Sequence, residues 1–176
     1  MAAVFTWEES NGAGTTITTA TAVNWKNNDD NTTNAYTAFP ITAGNNSFEK
    51  WQAGKFASGF NQVLNGKWAH TATAFGTGLT LKAAKAMTAD GDRLTYATPS
   101  TTANTSLTKD MTATTAIASG DAVWFGITSA NASGKAASCS TAPCWTNYLT
   151  TQLQTATTAS AGDTATVTIT LQYDEN

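Results

Sequence analysis

Residues 164–173 read TATVTITLQY. Ala165, Val167, Ile169, Leu171 and Tyr173 fall on one side of an extended chain, and Thr164, Thr166, Thr168, Thr170 and Gln172 on the other. A period of two held this long fits a β-strand with one buried and one solvated face, and it does not fit a helix. Similar alternation recurs elsewhere, so strands must be the main building unit.

Threonine and alanine make up more than a third of the 176 residues. Threonine favours strands because its β-branch stiffens χ1 and packs on a pleated surface. Charged residues are 12%, about half the usual share. The solvated faces are therefore covered mainly by Thr, Asn, Ser and Gln. With a net charge of -3, repulsion between copies is weak and assembly is tolerated. Nine Lys plus Arg are scattered without a cluster, which argues against nucleic acid as a partner. MAAVFTWEES lacks the basic and apolar regions of a secretory signal, and no apolar run is long enough to span a bilayer as a helix. The expected compartment of synthesis is the cytosol.

The pattern predicts strands over 15–25, 48–63, 67–72, 79–87, 93–98, 122–128, 148–158 and 164–173. Asn65-Gly66 reads as a type I′ hairpin turn between 60–64 and 67–72. The Asn- and Asp-rich run 24–34 reads as a polar loop. Residues 1–14 read as a candidate N-terminal arm. The Thr-, Ser- and Ala-rich run 99–118 reads as an extended loop or arm reaching another chain. The last two strands pair most simply as a hairpin. About seven to nine short strands without a βαβ rhythm indicate an all-β single domain over 1–176, an antiparallel β-sandwich or jelly roll with long polar loops or an extended arm.

No residue set suggests catalysis. His70 is the only histidine and no nucleophile or carboxylate stands at a telling spacing from it. Glu8, Glu9 and Glu49 read as isolated surface charges, not as paired carboxylates across a cleft. Asp29-Asp30 and Asp90-Gly91-Asp92 are weak calcium candidates that read better as turns. No cofactor or metal is expected. Cys139 and Cys144 lie close enough to close a small disulfide loop, worth about 1–2 kcal/mol, but two free thiols suit a cytosolic chain better. Of the six tryptophans, Trp7 and Trp145 fall outside the clearest strands, so they are the candidate contacts with a neighbour.

Several segments carry a family resemblance: NWKNNDDNTTNAYTAFPITAGNNSFEKWQAGKF (24–56), FNQVLNGKW (60–68), FGTG (75–78), YATP (96–99) and LTTQLQTATTASAGDTATVTITLQYDE (149–175). Together they resemble small virion structural proteins of tailed bacteriophages. The resemblance covers most of the chain and includes no catalytic motif. It implies a non-enzymatic particle component, foremost a capsid decoration protein that bridges capsid subunits. Its partners would be the major capsid protein and copies of itself, with a trimer suiting threefold positions. Such a chain is made in the host cytoplasm and leaves within the virion on lysis. The alternatives are a tail or neck component, a module binding host-surface glycan, or a glycan hydrolase.

Overall fold

The computed structural model describes residues 2–14, 16–32, 37–71, 75–84, 95–111, 121–123, 125–126, 136–162 and 166–176. Twelve strands form among them: β1 (Val4–Asn11), β2 (Thr16–Thr19), β3 (Lys50–Ser58), β4 (Val63–His70), β5 (Leu79–Ala83), β6 (Lys109–Asp110), β7 (Asp121–Ala122), β8 (Phe125–Gly126), β9 (Ser138–Cys139), β10 (Cys144–Thr146), β11 (Leu149–Thr155) and β12 (Ile169–Glu175). The described residues contain no helix. The fold is all-β, as the alternation requires.

The strands make two antiparallel sheets. The larger runs β2-β1-β3-β11-β5-β6, with β10 beside the far end of β3 and β8 beside β10. The smaller runs β12-β4-β7, with β9 also paired to β4. β3 and β11 are buried along most of their length, consistent with their central places. β12 alternates half-buried and exposed residues, as an edge strand with one solvated face does.

Both sheets contribute to one core cluster. Phe56, Phe125, Cys144 and Leu149 come from the larger sheet, and Val63, Trp68 and Cys139 from the smaller. Tyr173 meets Phe56 edge-on with ring centres 4.8 Å apart, and Trp7 stacks on Trp68 at 5.1 Å. Such pairs add about 0.5–1.5 kcal/mol each beyond the area they bury. A second cluster holds Leu81, Ala83, Met111 and Leu153, and Ile169 of β12 packs against both clusters.

Two glycines let these elements approach. A Cβ on Gly54 would lie 2.7 Å from the Phe5 ring and 3.1 Å from Leu171 of the other sheet. A Cβ on Gly66 would lie 2.8 Å from Phe125 and 2.9 Å from Val123.

Several expectations need correction. The described part of the expected 1–14 arm is no arm, since β1 (Val4–Asn11) lies between β2 and β3 and is stitched to both. The strand expected over 15–25 stops at Thr19. Asn65-Gly66 is not a hairpin turn, because β4 runs through it. Lys67 pairs with Gln172 and Leu64 with Asp174, so Asn65 and Gly66 together oppose Tyr173. This is a β-bulge with Asn65 at φ 52°, the same left-handed preference that a type I′ turn would use.

The last two strands do not form a hairpin. β11 pairs with β3 and β5, whereas β12 pairs with β4 in the other sheet. The buried polar and apolar residues of β11 require neighbours on both edges, which β12 alone does not supply. Residues 95–98 are not a strand, while 93 and 94 lie outside the described residues. The expected arm over 99–118 packs on its own chain as far as 111. Ser100 and Thr102 carbonyls accept from the Gln152 amide, Leu107 is buried, and β6 pairs with β5. Residues 112–120 lie outside the described residues, as do 85–87, Trp124 and 127–128 of the expected strands. Cys139 and Cys144 are bridged, not free thiols. The bond joins β9 of the smaller sheet to β10 of the larger.

Gly66→Ala should cost about 1–3 kcal/mol of unfolding free energy, because the added methyl must displace Phe125 or Val123. Gly76→Ala, whose methyl would meet only Leu79 Cδ1 at 3.7 Å, should change it by less than about 0.5 kcal/mol. Urea titration of both variants tests this; an unmoved Gly66→Ala midpoint would rule out tight packing at that point.

Candidate functional site

Alternation sorts the chemistry of the larger sheet onto two faces. On β1, Phe5, Trp7, Glu9 and Asn11 share the inner face, and Thr6, Glu8 and Ser10 the outer one. On β3, Lys50, Gln52, Gly54 and Phe56 are inner, and Trp51, Ala53 and Lys55 outer. The pairings Phe5 with Phe56, Glu9 with Gln52 and Ser10 with Trp51 keep the two strands in step.

The inner face is apolar at one end and charged at the other. Lys50 Nζ lies 3.1 Å from Glu9 Oε1, and their side chains are 0% and 1% exposed. The Asn11 amide donates to the same Glu9 oxygen at 3.0 Å, and the Gln52 amide donates to Glu9 Oε2 at 3.1 Å. Lys50 also donates to the Asp30 carbonyl at 2.7 Å. Asp29 accepts from Asn11 Nδ2 at 2.8 Å and from the Gly12 N–H at 2.7 Å. Asp30 pairs with the buried Lys26 ammonium, which also donates to the Thr32 carbonyl. Burial raises the Asp30 pKa, but the Lys26 hydrogen bond, the Thr32 N–H and the charges of Lys26 and Lys50 outweigh it. The net effect holds Asp30 below its ordinary 3.8.

These contacts overturn one expectation. Glu9 and Glu49 are buried, not isolated surface charges. Glu49 accepts from the Trp51 indole at 3.2 Å and the Asn104 amide at 2.6 Å. The Asp29 and Asp30 carboxylates accept from ammonium and N–H donors of their own chain. Among the described residues no cluster of His, Cys, Asp and Glu could hold a metal ion; the Asp90–Asp92 candidate lies outside them. His70 is buried and approaches the Met111 carbonyl at 3.2 Å.

The outer face carries aromatic residues. Trp51, Tyr96 and Tyr148 pack together with ring centres 5.2–5.5 Å apart. Burial pushes both phenols above the ordinary tyrosine value, and the Asp29 charge adds to this at Tyr96. Beside this covered cluster lies a half-exposed group centred on Trp145. Its indole N–H donates to Glu8 Oε2 at 2.9 Å, and Lys55 bridges Glu8 Oε1 at 3.0 Å while lying 5.2 Å from the ring centre. The tryptophan is thus held in one orientation, with both Glu8 oxygens engaged. Such a group has no free acid, base or nucleophile, but it can act as a fixed aromatic anchor with a polar rim.

Trp7 and Trp145 are not brought together. Trp7 lies on the inner face against Trp68, and Trp145 on the outer face. Trp7 also borders a groove of about 1260 Å³ whose walls include Val23, Trp25, Phe39, Leu153 and Ile169. The buried Glu9–Lys50 group escaped the sequence reading. Its signal was the parity of polar Glu9, Asn11, Lys50 and Gln52 with the apolar residues of their strands. No family model, curated protein or solved structure matches this chain.

Lys50→Met should cost about 3–5 kcal/mol, because Glu9 is left buried without its counter-charge. Lys55→Met, in the partly exposed outer pair, should cost about 0–1 kcal/mol. Chemical denaturation compares the two, and equal costs would refute the distinction.

The depressed Asp30 value sets a direction with pH. Its contribution to stability is present in full above about pH 3.8 and is lost as pH falls through the lower folded value. Asp30→Asn should therefore flatten the acid limb of a stability–pH curve. An unchanged limb would count against that ion pair.

Proposed function

We infer that the chain is a non-enzymatic virion structural protein, foremost a capsid decoration protein, whose two sheets form a β-sandwich. The observation that carries this reading is the outer-face Trp145, held between Glu8 and Lys55. A rigid aromatic anchor loses little side-chain entropy on binding and suits a repeated protein–protein contact. The low surface charge and the resemblance of 24–56 and 149–175 to phage virion proteins support the same role. The carboxylates Glu8, Glu9 and Glu49 each have internal partners, which disfavours a hydrolase with two carboxylates across a cleft.

In this role the protein bridges capsid subunits and adds interface area that resists internal pressure, with the major capsid protein and its own copies as partners. It is made in the host cytoplasm and carried out in the particle. The second reading, a tail or neck component or a glycan-binding module, draws on the aromatic groove beside Trp7 and Trp25.

Immunogold labelling of purified virions separates these readings. Label spread over the head is the expected result, and it should fall at least tenfold when Trp145→Ala particles are assembled. Label confined to the tail or neck would favour the second reading. No label on particles would refute the virion role.

A further inference from the structure

The buried group at the end of β1 and the start of β3 contains the parts of a covalent cross-link. Lys50 is an amine nucleophile, Asn11 offers a carboxamide carbon, and Glu9 touches both. Lys50 Nζ and Asn11 Nδ2 lie 3.1 and 3.0 Å from the same oxygen, Glu9 Oε1. All three residues are buried. They share the inner face, since Ser10 pairs with Trp51 and the next residues along are Asn11 and Lys50. Gln52 and Asn11 both complete the Glu9 carboxylate as donors, but only Asn11 does so on the oxygen that holds Lys50. The asparagine on the same carboxylate oxygen adds an electrophile to a nucleophile and a proton carrier.

We propose that Lys50 and Asn11 form an intramolecular isopeptide bond, with Glu9 as its general acid–base catalyst. Glu9 takes a proton from the Lys50 ammonium, and the freed amine adds to Asn11 Cγ. The Cγ–Nδ2 bond then breaks. Of the three ammonium protons, one remains on the new amide nitrogen and two pass through Glu9 to Nδ2, which departs as ammonium. One N–C bond forms, one breaks, and nothing is oxidised or reduced. Fixed proximity replaces a bimolecular encounter, burial keeps out competing water, and the shared carboxylate moves the protons.

The neighbouring groups fit the same step. Asp29 accepts from Asn11 Nδ2 at 2.8 Å and so orients the leaving nitrogen. It also holds the Gly12 N–H at 2.7 Å. That nitrogen is the competing attacker on Asn11, through a cyclic imide, and its hydrogen bond directs it away. The Asp30 carbonyl, 2.7 Å from Lys50 Nζ, positions the amine, and Lys26 neutralises the Asp30 side chain nearby. The Glu9–Lys50 ion pair is the state before the reaction, and the link would replace it, joining the adjacent strands β1 and β3 and closing residues 12–49 into a covalent loop. The inference is independent of the virion role.

The test is the intact mass of the folded, full-length protein after reduction of its disulfide, followed by peptide mapping. The expected wild-type mass is lower than the sequence mass by one ammonia, with a branched peptide that contains both Asn11 and Lys50. Glu9→Gln and Lys50→Arg should both restore the unmodified mass. A wild-type protein at full sequence mass would overturn the proposal. So would an ammonia loss that persists in Lys50→Arg, since that would be a cyclic imide at Asn11-Gly12. The wild-type peptide map decides the matter even where a variant fails to fold.

Discussion

Removing Glu9 and Lys50 from water is costly, at several kcal/mol per ion even after relaxation. Their mutual attraction offsets this only because the remaining hydrogen-bonding capacity is also filled. Asn11 and Gln52 complete the Glu9 carboxylate, and the Asp30 carbonyl takes a second Lys50 proton. These partners come from β1, β3 and the Asn-rich loop that follows β2. The charge pair therefore dictates more than the pairing of two strands. It fixes where a loop with little apolar content must lie, and through Asp29 and Lys26 it anchors several further residues of that loop.

The opposite end of the same face works by shape. Phe5, Phe56, Leu171 and Tyr173 fill the space between the sheets, and Gly54 and Gly66 remove the side chains that would hold neighbours apart. The bulge at Asn65-Gly66 is part of this arrangement. Without an extra residue there, the alternation of β4 could not place both Val63 and Trp68 inward with Gly66 between them. The disulfide between β9 and β10 adds a covalent tie across the sheets at that end. Charge and shape thus divide one sheet face, and neither mechanism extends far into the other's half.

The parts of this architecture that were legible in the sequence are local. Alternation located β5, β11 and β12 and identified Ile169, Leu171 and Tyr173 as the inward residues of the last. Pairing was not legible, because a period of two says which face a residue takes and nothing about its neighbour strand. β11 and β12 are adjacent in sequence but separated into two sheets by the burial each one needs. Asn65-Gly66 shows a second limit, since a left-handed residue followed by glycine serves a bulge as well as a turn. The polar inner residues were missed for a related reason: Glu9 and Lys50 are ordinary surface types until their parity with Phe5 and Phe56 is combined with the β1–β3 register. At the candidate site, Trp145 stood out only by lying outside the clearest strands, and Glu8 and Lys55, which orient it, become its neighbours only when β1, β3 and β10 align.

The two sides of the larger sheet consequently have different capacities. Inward, carboxylate, amine and amide are buried together and bound to one another. Outward, Glu8 and Lys55 spend their charges on orienting a tryptophan. Tyr96 already covers Trp51 and Tyr148 on that side, so among the described residues Trp145 is a large aromatic of the outer face left beside a polar margin. A contact built on such a residue needs no rearrangement of the sheet beneath it, because the strands that carry Glu8 and Lys55 are those joined by the buried Glu9–Lys50 pair on the other side.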